Sequence, residues 1–280
     1  MENITVKDHS VSGEEFQLVF DAGLEMYKTE PQPSLENLAS YYESEDYISH
    51  TDAKRNLFEK IYHWVRTYML SKKMSIVDMH TKSDGKKVLD IGCGTGDFLA
   101  MAKKYKWEIA GIEPDVQARK IATEKTATEI HSNDWLSEIA DDSFDAVTMW
   151  HVLEHVPNLE EQIQTLKRIV KPNGSIFIAV PNFKSHDAKH YKEFWAAYDV
   201  PRHLWHFSQK SIKSLFAKEN MKVVKILPMK FDAYYVSLLS EKHKTGKMNP
   251  IKGFYRGFVS NFKAITSSEY SSLIYVLKND

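Results

Sequence analysis

The sequence is poor in cysteine and has no long apolar run. Cys93 is the only cysteine, so an internal disulfide and a multi-cysteine metal site are both excluded. No stretch of about 18 apolar residues is present, which argues against a membrane-spanning helix. The first ten residues lack the cationic and apolar segments of a secretory leader. We therefore expect a cytoplasmic protein that does not insert into a membrane.

The chain also lacks an excess of either charge. The 37 Lys and Arg residues balance 38 Asp and Glu residues, so the overall charge gives no attraction to nucleic acid. The distribution is nevertheless uneven, since residues 1–60 hold 13 acidic and 5 basic side chains, and residues 184–280 hold 8 and 17. The two ends could simply pack together or lie on solvated faces. Alternatively, the basic end attracts an acceptor that carries a carboxylate or phosphate.

The middle of the chain alternates short apolar runs with helical patterns. Strands are predicted over residues 87–91, 108–112, 130–131, 144–149 and 175–180, and helices over 97–105, 115–125 and 159–170. This alternation is typical of an α/β fold in which helices cover both faces of a mostly parallel sheet. Ligands of such folds bind beyond the C-terminal ends of the strands.

The two ends of the chain extend this predicted core. We expect residues 1–55 to form an irregular N-terminal extension that can close over the site as a lid, and residues 56–280 to form the main domain. A helix over 56–70 would lead into the core. Further along, a helix is predicted over 208–220 and strands over 221–227 and 273–277. The aromatic and basic segment 232–268 is predicted as a helical insertion or lid.

The strongest chemical signal is VLDIGCGTGDF at residues 88–98. A predicted strand reaches Asp90, and Gly92, Gly94 and Gly96 follow before a helix begins. Glycines at a strand-to-helix turn let the backbone approach a ligand closely. The spacing differs from that of dinucleotide binders, and Asp97 stands where a phosphate loop needs lysine. A tight turn without a ligand would also explain these glycines.

Acidic residues follow the next two predicted strands. Glu113, with Pro114 after it, lies 23 residues beyond Asp90, where a carboxylate accepts the two ribose hydroxyls of a nucleoside. Asp134 follows the third strand and has Trp135 beside it. That pair could accept a hydrogen bond from an adenine amino group and pack on its ring. Each of these residues could also be an ordinary exposed side chain at a strand end.

Five segments together resemble the class I S-adenosylmethionine-dependent methyltransferases: VLDIGCGTG, GIEPD, SNDW, FDAVTMWHVLEHVPN and KPNGSIFIAVPN. Within that family, LEHVPN and PRHLWHF are similar to the bacterial small-molecule methyltransferases related to those of ubiquinone biosynthesis. The resemblance covers about residues 60–230 closely. It implies a Rossmann-like, doubly wound, seven-stranded sheet whose last strand is antiparallel.

The resemblance also implies a binding site for the methyl donor S-adenosylmethionine. The donor would lie in the glycine turn, with Glu113 on its ribose and Asp134 and Trp135 near its adenine. Trp150 and His151 would lie beside its methionine end, and acidic residues near the turn would offset its positive groups. The complete predicted donor set is Asp90, Gly92, Gly94, Gly96, Glu113, Pro114, Asp134, Trp135, Trp150 and His151.

Residues 151–155 read His-Val-Leu-Glu-His, the H-x-x-E-H pattern of a class of zinc peptidases. The pattern follows a predicted strand and meets Pro157 two residues later, whereas a peptidase carries it in a long helix. Some ubiquinone-type relatives hold a divalent metal with similarly placed Glu and His residues. A hydrogen-bonded structural histidine is the simpler interpretation, and we do not expect a metal.

Residues 181–207 follow the fifth predicted strand and are rich in histidine and aromatic residues. They should therefore lie over the donor. His155 and His203 are the predicted bases for an acceptor hydroxyl. The predicted acceptor contacts are Arg202, Tyr198, Tyr47 and His50. A packed aromatic cover, with histidines bonded to the backbone, would account for the same residues.

These observations predict methyl transfer from S-adenosylmethionine to a small molecule, with oxygen as the favoured atom, by in-line displacement. The alternatives are a methyltransferase acting on protein or nucleic acid, and a donor-binding module without turnover. Residues 150–153 do not match the Asn-Pro-Pro-Tyr-type motif of base-methylating enzymes, and we expect no nucleic-acid partner. The retained glycine turn and Glu113 disfavour an inactive binding module. The pattern leaves the oligomeric state open.

Overall fold

The computed structural model describes residues 1–42, 57–81 and 85–279. In chain order its main elements are β1 (Ile4–Lys7), β2 (Glu15–Asp21), β3 (Met26–Glu30), α1 (Leu35–Leu38), α2 (Leu57–His80), β4 (Lys87–Ile91), α3 (Asp97–Lys104), β5 (Glu108–Ile112), α4 (Val116–Thr126), β6 (Ile130–His131), β7 (Phe144–Trp150), α5 (Leu159–Ile169), β8 (Val170–Pro181), α6 (His186–Tyr191), β9 (Trp205–His206), α7 (Gln209–Ala217), β10 (Met221–Pro228), α8 (Asp232–Thr245), α9 (Pro250–Ser267) and β11 (Ser272–Asn279). Short 3₁₀ helices cover Ala39–Tyr42, Asn133–Ser137, Leu153–His155, Lys192–Phe194 and Ala196–Tyr198.

A seven-stranded sheet forms the centre of the molecule, in the order β10-β11-β8-β7-β4-β5-β6. Strand β11 runs antiparallel to both of its neighbours, β8 and β10. The pairs among β8, β7, β4, β5 and β6 are all parallel. The predicted Rossmann-like α/β sheet with an antiparallel last strand is therefore confirmed.

Alternate residues of each strand supply two separate apolar layers, one on each face of the sheet. In β4, Leu89 packs toward α5 and α7, whereas Val88 packs toward α2, α3 and α4. Strand β8 divides in the same way between Ile176 and Phe177. Because both faces are covered by helices, these strands read as continuous apolar runs. Helix α2 ends at His80, ten residues beyond its predicted end, and buries Met74 in the second layer.

The N-terminal residues form strands, which corrects the prediction of an irregular extension. Strands β1, β2, β3 and β9 make a second, antiparallel sheet of four strands. In β2, Phe16 and Leu18 are buried and their neighbours Glu15 and Gln17 are exposed, which is the alternation of a strand with one covered face. Strand β9 belongs to the segment after β8, so that segment and the N-terminal strands share one sheet. The division into domains at residue 55 stays a prediction.

Helices α8 and α9 form the insertion between β10 and β11. Their backbones lie close together, since an ideal Cβ on Gly253 would come within 2.8 Å of Leu238 Cα and one on Gly257 within 2.7 Å of Tyr234 Cα. The buried carboxylate of Asp187 in α6 also holds the insertion in place. It accepts hydrogen bonds from Trp195 Nε1 at 2.8 Å, Ser260 Oγ at 2.6 Å and Ser271 Oγ at 2.7 Å.

Within the described ranges, the structure contains no helix that combines the length and the hydropathy needed to cross a bilayer. The expected cytoplasmic location stays a prediction.

Candidate functional site

The glycine turn joins β4 to α3 at the C-terminal edge of the central sheet. Gly92, Gly94 and Gly96 have φ angles of 69°, 53° and 77°, a region that favours glycine. A Cβ on Gly92 would come within 2.5 Å of Val152, and one on Gly96 within 3.0 Å of Ala122. A Cβ on Gly94 would meet no atom within 4 Å. Two of these glycines therefore allow close packing, and the third borders open space in which a ligand can lie against the backbone.

The carboxylate of Glu113 is tied directly to this turn. Its Oε2 accepts a hydrogen bond from the Gly94 backbone N–H at 2.7 Å, and its Oε1 accepts one from the Asp115 N–H at 3.0 Å. Burial raises the pKa of Glu113, and the two backbone donors act in the opposite direction. The side chain is thus held in one orientation, with lone pairs left over for further donors.

Asp90 lies in a buried polar pair at the end of β4. Its Oδ1 accepts a hydrogen bond from Thr148 Oγ1 in β7 at 2.6 Å. Burial raises the pKa of Asp90 to about 7, against the lowering effects of Thr148 and Lys73. Lys73 in α2 places its Nζ over the Trp150 ring, 4.6 Å from the centroid. Lys73 was missed at the level of sequence, because one lysine in an amphipathic helix has no local signature.

His151 is held between two carboxylates. Its backbone has a φ of 59°, its Nε2 donates to Asp232 Oδ2 at 3.0 Å, and its Nδ1 lies 3.4 Å from Glu154 Oε1. Burial lowers the pKa of His151, but the two carboxylates outweigh burial and raise it to about 9. The imidazole is therefore protonated at neutral pH. Asp232 begins α8 and was also missed, since nothing in the sequence links it to a histidine 81 positions earlier.

Glu154, His155 and His203 converge beside this histidine. Each offers one ligand atom, and the three atoms lie within 4.8 Å of one another. Glu154 is fully buried, and neither of its carboxylate oxygens accepts a hydrogen bond. The rings of His155 and His203 meet edge to face at 4.6 Å. The two predicted bases are thus neighbours, and a buried carboxylate lies with them.

Hydrogen bonds to carbonyl groups determine which nitrogen of each imidazole remains basic. Nδ1 of His155 lies 3.0 Å from the Arg202 carbonyl oxygen, and Nδ1 of His203 lies 2.9 Å from the Ala197 carbonyl oxygen. A carbonyl oxygen only accepts, so both Nδ1 atoms carry the proton and both Nε2 atoms keep a lone pair. Burial lowers the pKa of His155 to about 4, and that ring is neutral at neutral pH.

This group of one carboxylate and two imidazoles has the donor set of a site for a divalent cation. The same atoms would equally accept hydrogen bonds from the hydroxyl groups of a bound molecule. The expectation that no metal takes part stays a prediction.

Two predicted acceptor contacts are occupied by interactions inside the protein. The buried guanidinium of Arg202 donates to Asp199 through Nε at 3.0 Å, to Asp8 through Nη2 at 3.0 Å and to the Tyr41 carbonyl through Nη1 at 2.9 Å. Tyr198 is 3% exposed within the apolar cluster under the N-terminal sheet. Arg202 and Tyr198 thus pack the 182–207 loop onto the N-terminal sheet, and their assignment as acceptor contacts stays a prediction.

The remaining predicted contacts lie at the edge of the site or outside the described residues. Trp135 stacks on His131 with ring centroids 4.1 Å apart, and the exposed Asp134 follows the end of β6. The carbonyl of Pro114 accepts from Arg119 at 3.1 Å. Tyr47 and His50 fall outside the described residues. The hydroxyl of Tyr42, the last residue before that segment, lies 2.9 Å from Nδ1 of His155, so the N-terminal region does reach the site.

Comparison with known families agrees with this geometry. A family model described as a methyltransferase domain matches residues 56–226, which is more than half of the chain. The chain belongs to the class I S-adenosylmethionine-dependent methyltransferases. The resemblance noted in the sequence is confirmed.

This methyltransferase is 30% identical over 117 residues to the ubiquinone biosynthesis O-methyltransferase of Chromobacterium violaceum. The match covers 39% of this chain and 50% of that protein, so the chain spans about half the length of its relative. A SAM-dependent methyltransferase from Archaeoglobus fulgidus superposes with a TM-score of 0.53 and 16% identity, over 80% of this chain and 100% of that one.

A third similar protein is the geranyl diphosphate C-methyltransferase of Streptomyces coelicolor A3(2), with a TM-score of 0.55 and 12% identity. The match covers 82% of this methyltransferase and 88% of that chain. At these identities the two solved structures show a shared fold. The methylated atom and the acceptor must therefore be argued from the residues of this chain.

Proposed function

We propose that this protein transfers a methyl group from S-adenosylmethionine to an oxygen atom of a small-molecule acceptor. The convergence of Glu154, His155 and His203 carries the proposal. These residues present buried hydrogen-bond acceptors next to His151, whose Nδ1 lies 3.4 Å from the Glu154 carboxylate without forming a hydrogen bond to it. An acceptor hydroxyl supplies the missing donor, and the similarity to an O-methyltransferase agrees with oxygen.

The residues around the glycine turn fit the donor. Gly94 leaves space at the backbone, and Glu113 presents an oriented carboxylate for two ribose hydroxyls. Asp232, whose pKa is lowered by His151, adds a carboxylate that attracts the positively charged end of the donor, and Asp90, with a pKa of about 7, adds a partly ionised one. When bound, S-adenosylmethionine supplies a methyl group that its sulfonium has already activated. The protein therefore has to align the acceptor oxygen with that group and exclude water.

His203 is the better placed of the two predicted bases. Its Nε2 lies 4.0 Å from Asp199 Oδ2, so a proton taken up by the imidazole is stabilised by a nearby carboxylate. His155 has a pKa of about 4 and would accept a hydrogen bond without holding the proton. We infer that Glu154 orients the acceptor hydroxyl and that His203 removes its proton. The acceptor's identity and the involvement of a metal stay outside this proposal.

The test is a methylation assay that follows release of S-adenosylhomocysteine with a panel of phenols, catechols, amines and carbon acids. Glu154→Gln keeps the shape of the side chain and removes its charge. We expect kcat/KM for a hydroxyl acceptor to fall about 100-fold or more, with donor affinity unchanged. Glu160→Gln, an exposed side chain on α5, is the matched control and should be fully active. Methylation confined to amines, carbon acids, protein or nucleic acid would refute the proposal.

A further inference from the structure

Helix α9 turns its large apolar side chains toward solvent. Six of them are between 53% and 84% exposed, namely Ile251, Phe254, Tyr255, Phe258, Phe262 and Ile265. At 3.6 residues per turn, these positions fall within an arc of roughly 100° on one face of the helix. Helices of globular proteins bury such a stripe, so its exposure over the whole length of α9 requires an explanation.

The opposite face of α9 carries small residues and makes the contacts with the rest of the protein. Gly253, Gly257, Ser260 and Ala264 are the buried positions of the helix. The two glycines bring its backbone against α8, and Ser260 donates to the buried carboxylate of Asp187 at 2.6 Å. The packing of α9 is therefore complete without its aromatic side chains. Those side chains are held in a fixed, outward-facing row by a well-anchored helix.

The segment that contains α9 is basic throughout. Residues 242–268 include six Lys and Arg residues and no Asp or Glu. Three of them, Lys252, Arg256 and Lys263, fall together along one flank of the apolar stripe at about 100° per residue. An exposed apolar face bordered by a row of cations has two separate requirements, an apolar medium and a source of negative charge.

We propose that α9 binds in the plane of an anionic lipid bilayer, with its aromatic row in the acyl boundary and its cations at the headgroups. A bilayer containing acidic phospholipid meets both requirements at once. The same face of a second copy would offer apolar surface but no carboxylate, since residues 242–268 include no Asp or Glu, so it meets only the first requirement. The helix has 18 residues and no membrane-crossing hydropathy, so it lies on the surface. This inference is independent of the proposed acceptor.

The position of α9 relates the proposed surface to the methyltransferase site. Helix α9 packs on α8, and α8 begins with Asp232, which holds His151 at 3.0 Å. Docking of α9 would therefore bring the edge of the site close to the membrane surface. A protein bound in this way can take an acceptor from the bilayer or release a product into it.

Sedimentation with lipid vesicles tests the proposal on the full chain. We expect binding to vesicles of phosphatidylcholine and phosphatidylglycerol in equal parts, and weak binding to phosphatidylcholine alone. Replacing both Phe258 and Phe262 by Ser should weaken binding to the mixed vesicles about tenfold or more. Replacing Lys252 and Lys263 by Gln should weaken that binding and make the remainder less sensitive to salt.

Two exposed apolar residues on other surfaces provide the matched control. Met79→Ser with Val116→Ser removes comparable exposure, 72% and 62%, and should bind like the unchanged protein. Circular dichroism checks that every variant is folded. The proposal fails if the unchanged protein does not bind mixed vesicles, or if the Phe258 and Phe262 substitutions have no larger effect than the control. It also fails if the unchanged protein is a stable dimer that those substitutions dissociate without any vesicle binding.

Discussion

The backbone N–H of Gly94 donates a hydrogen bond to Glu113 Oε2 at 2.7 Å, and this contact joins the ends of β4 and β5. The glycine that borders open space and the carboxylate predicted to hold a ribose are therefore parts of one structure. A ligand in that space would meet the backbone on one side and the carboxylate on the other. The proposed donor site uses both, and each can be altered separately.

Glu113→Ala should weaken binding of S-adenosylmethionine by about 1.5–3 kcal/mol, since charge-assisted hydrogen bonds to the ribose are lost. Isothermal titration calorimetry measures the change directly. Glu108→Ala, at the exposed start of the same strand, should leave the affinity unaltered. Equal affinities for the unchanged protein and Glu113→Ala would show that this carboxylate does not contact the donor.

Gly94→Ala separates backbone strain from ligand contact. A φ of 53° costs an alanine about 1 kcal/mol of folding free energy, and the added methyl group meets no protein atom. Gly246, which ends α8 with a φ of 74° and equally open space, is the control. Both substitutions should lower stability to urea by similar amounts. Only Gly94→Ala should weaken donor binding, because its methyl group occupies the space proposed for the donor. If both substitutions change the donor affinity equally, the donor does not lie against Gly94.

The bridge from His151 to Asp232 should make stability depend on pH. The pKa of His151 is about 9 in the folded protein, above its value of about 6.5 in an unfolded chain. The contribution of this bridge is thus fully present below about pH 6.5 and is lost as the pH rises through 9. Urea unfolding across that window should show a decline that Asp232→Asn reduces. If the unchanged protein and Asp232→Asn decline in parallel, the bridge does not stabilise the fold.

The ion pair of Arg202 with Asp8 should stabilise the folded protein. Asp8→Ala leaves the buried guanidinium of Arg202 with one carboxylate fewer. It should lower the free energy of unfolding, measured with urea, by about 3 kcal/mol or more. Asp21→Ala, which removes two similar turn hydrogen bonds on an exposed surface without an ion pair, should cost about 1 kcal/mol. If Asp8→Ala raises the KM for the acceptor without lowering the stability of the fold, Arg202 contributes to acceptor binding and not to stability.

Several parts of the site were predictable because their signal is local. The strand, three glycines and helix of residues 88–98 lie in one continuous segment, and the next parallel strand brings Glu113 to the same edge. The N-terminal strands also carry a local signal, the alternation of buried and exposed positions in Glu15–Asp21. Their pairing with Trp205 and His206 had no such signal, because it joins segments about 180 residues apart.

The sequence by itself determined the order of strands and helices in the central sheet, the glycine turn and the acidic residues at the strand ends, since backbone torsions and the spacing of apolar residues act over a few positions. Only the tertiary structure decided that Asp232 would hold His151, that Asp8 would pair with Arg202, and that His203 would join Glu154 and His155. It also decided that small residues of α9 would face the protein and aromatic residues would face outward. Those outcomes depend on which distant surfaces meet when the apolar layers close, and no short stretch of sequence contains that information.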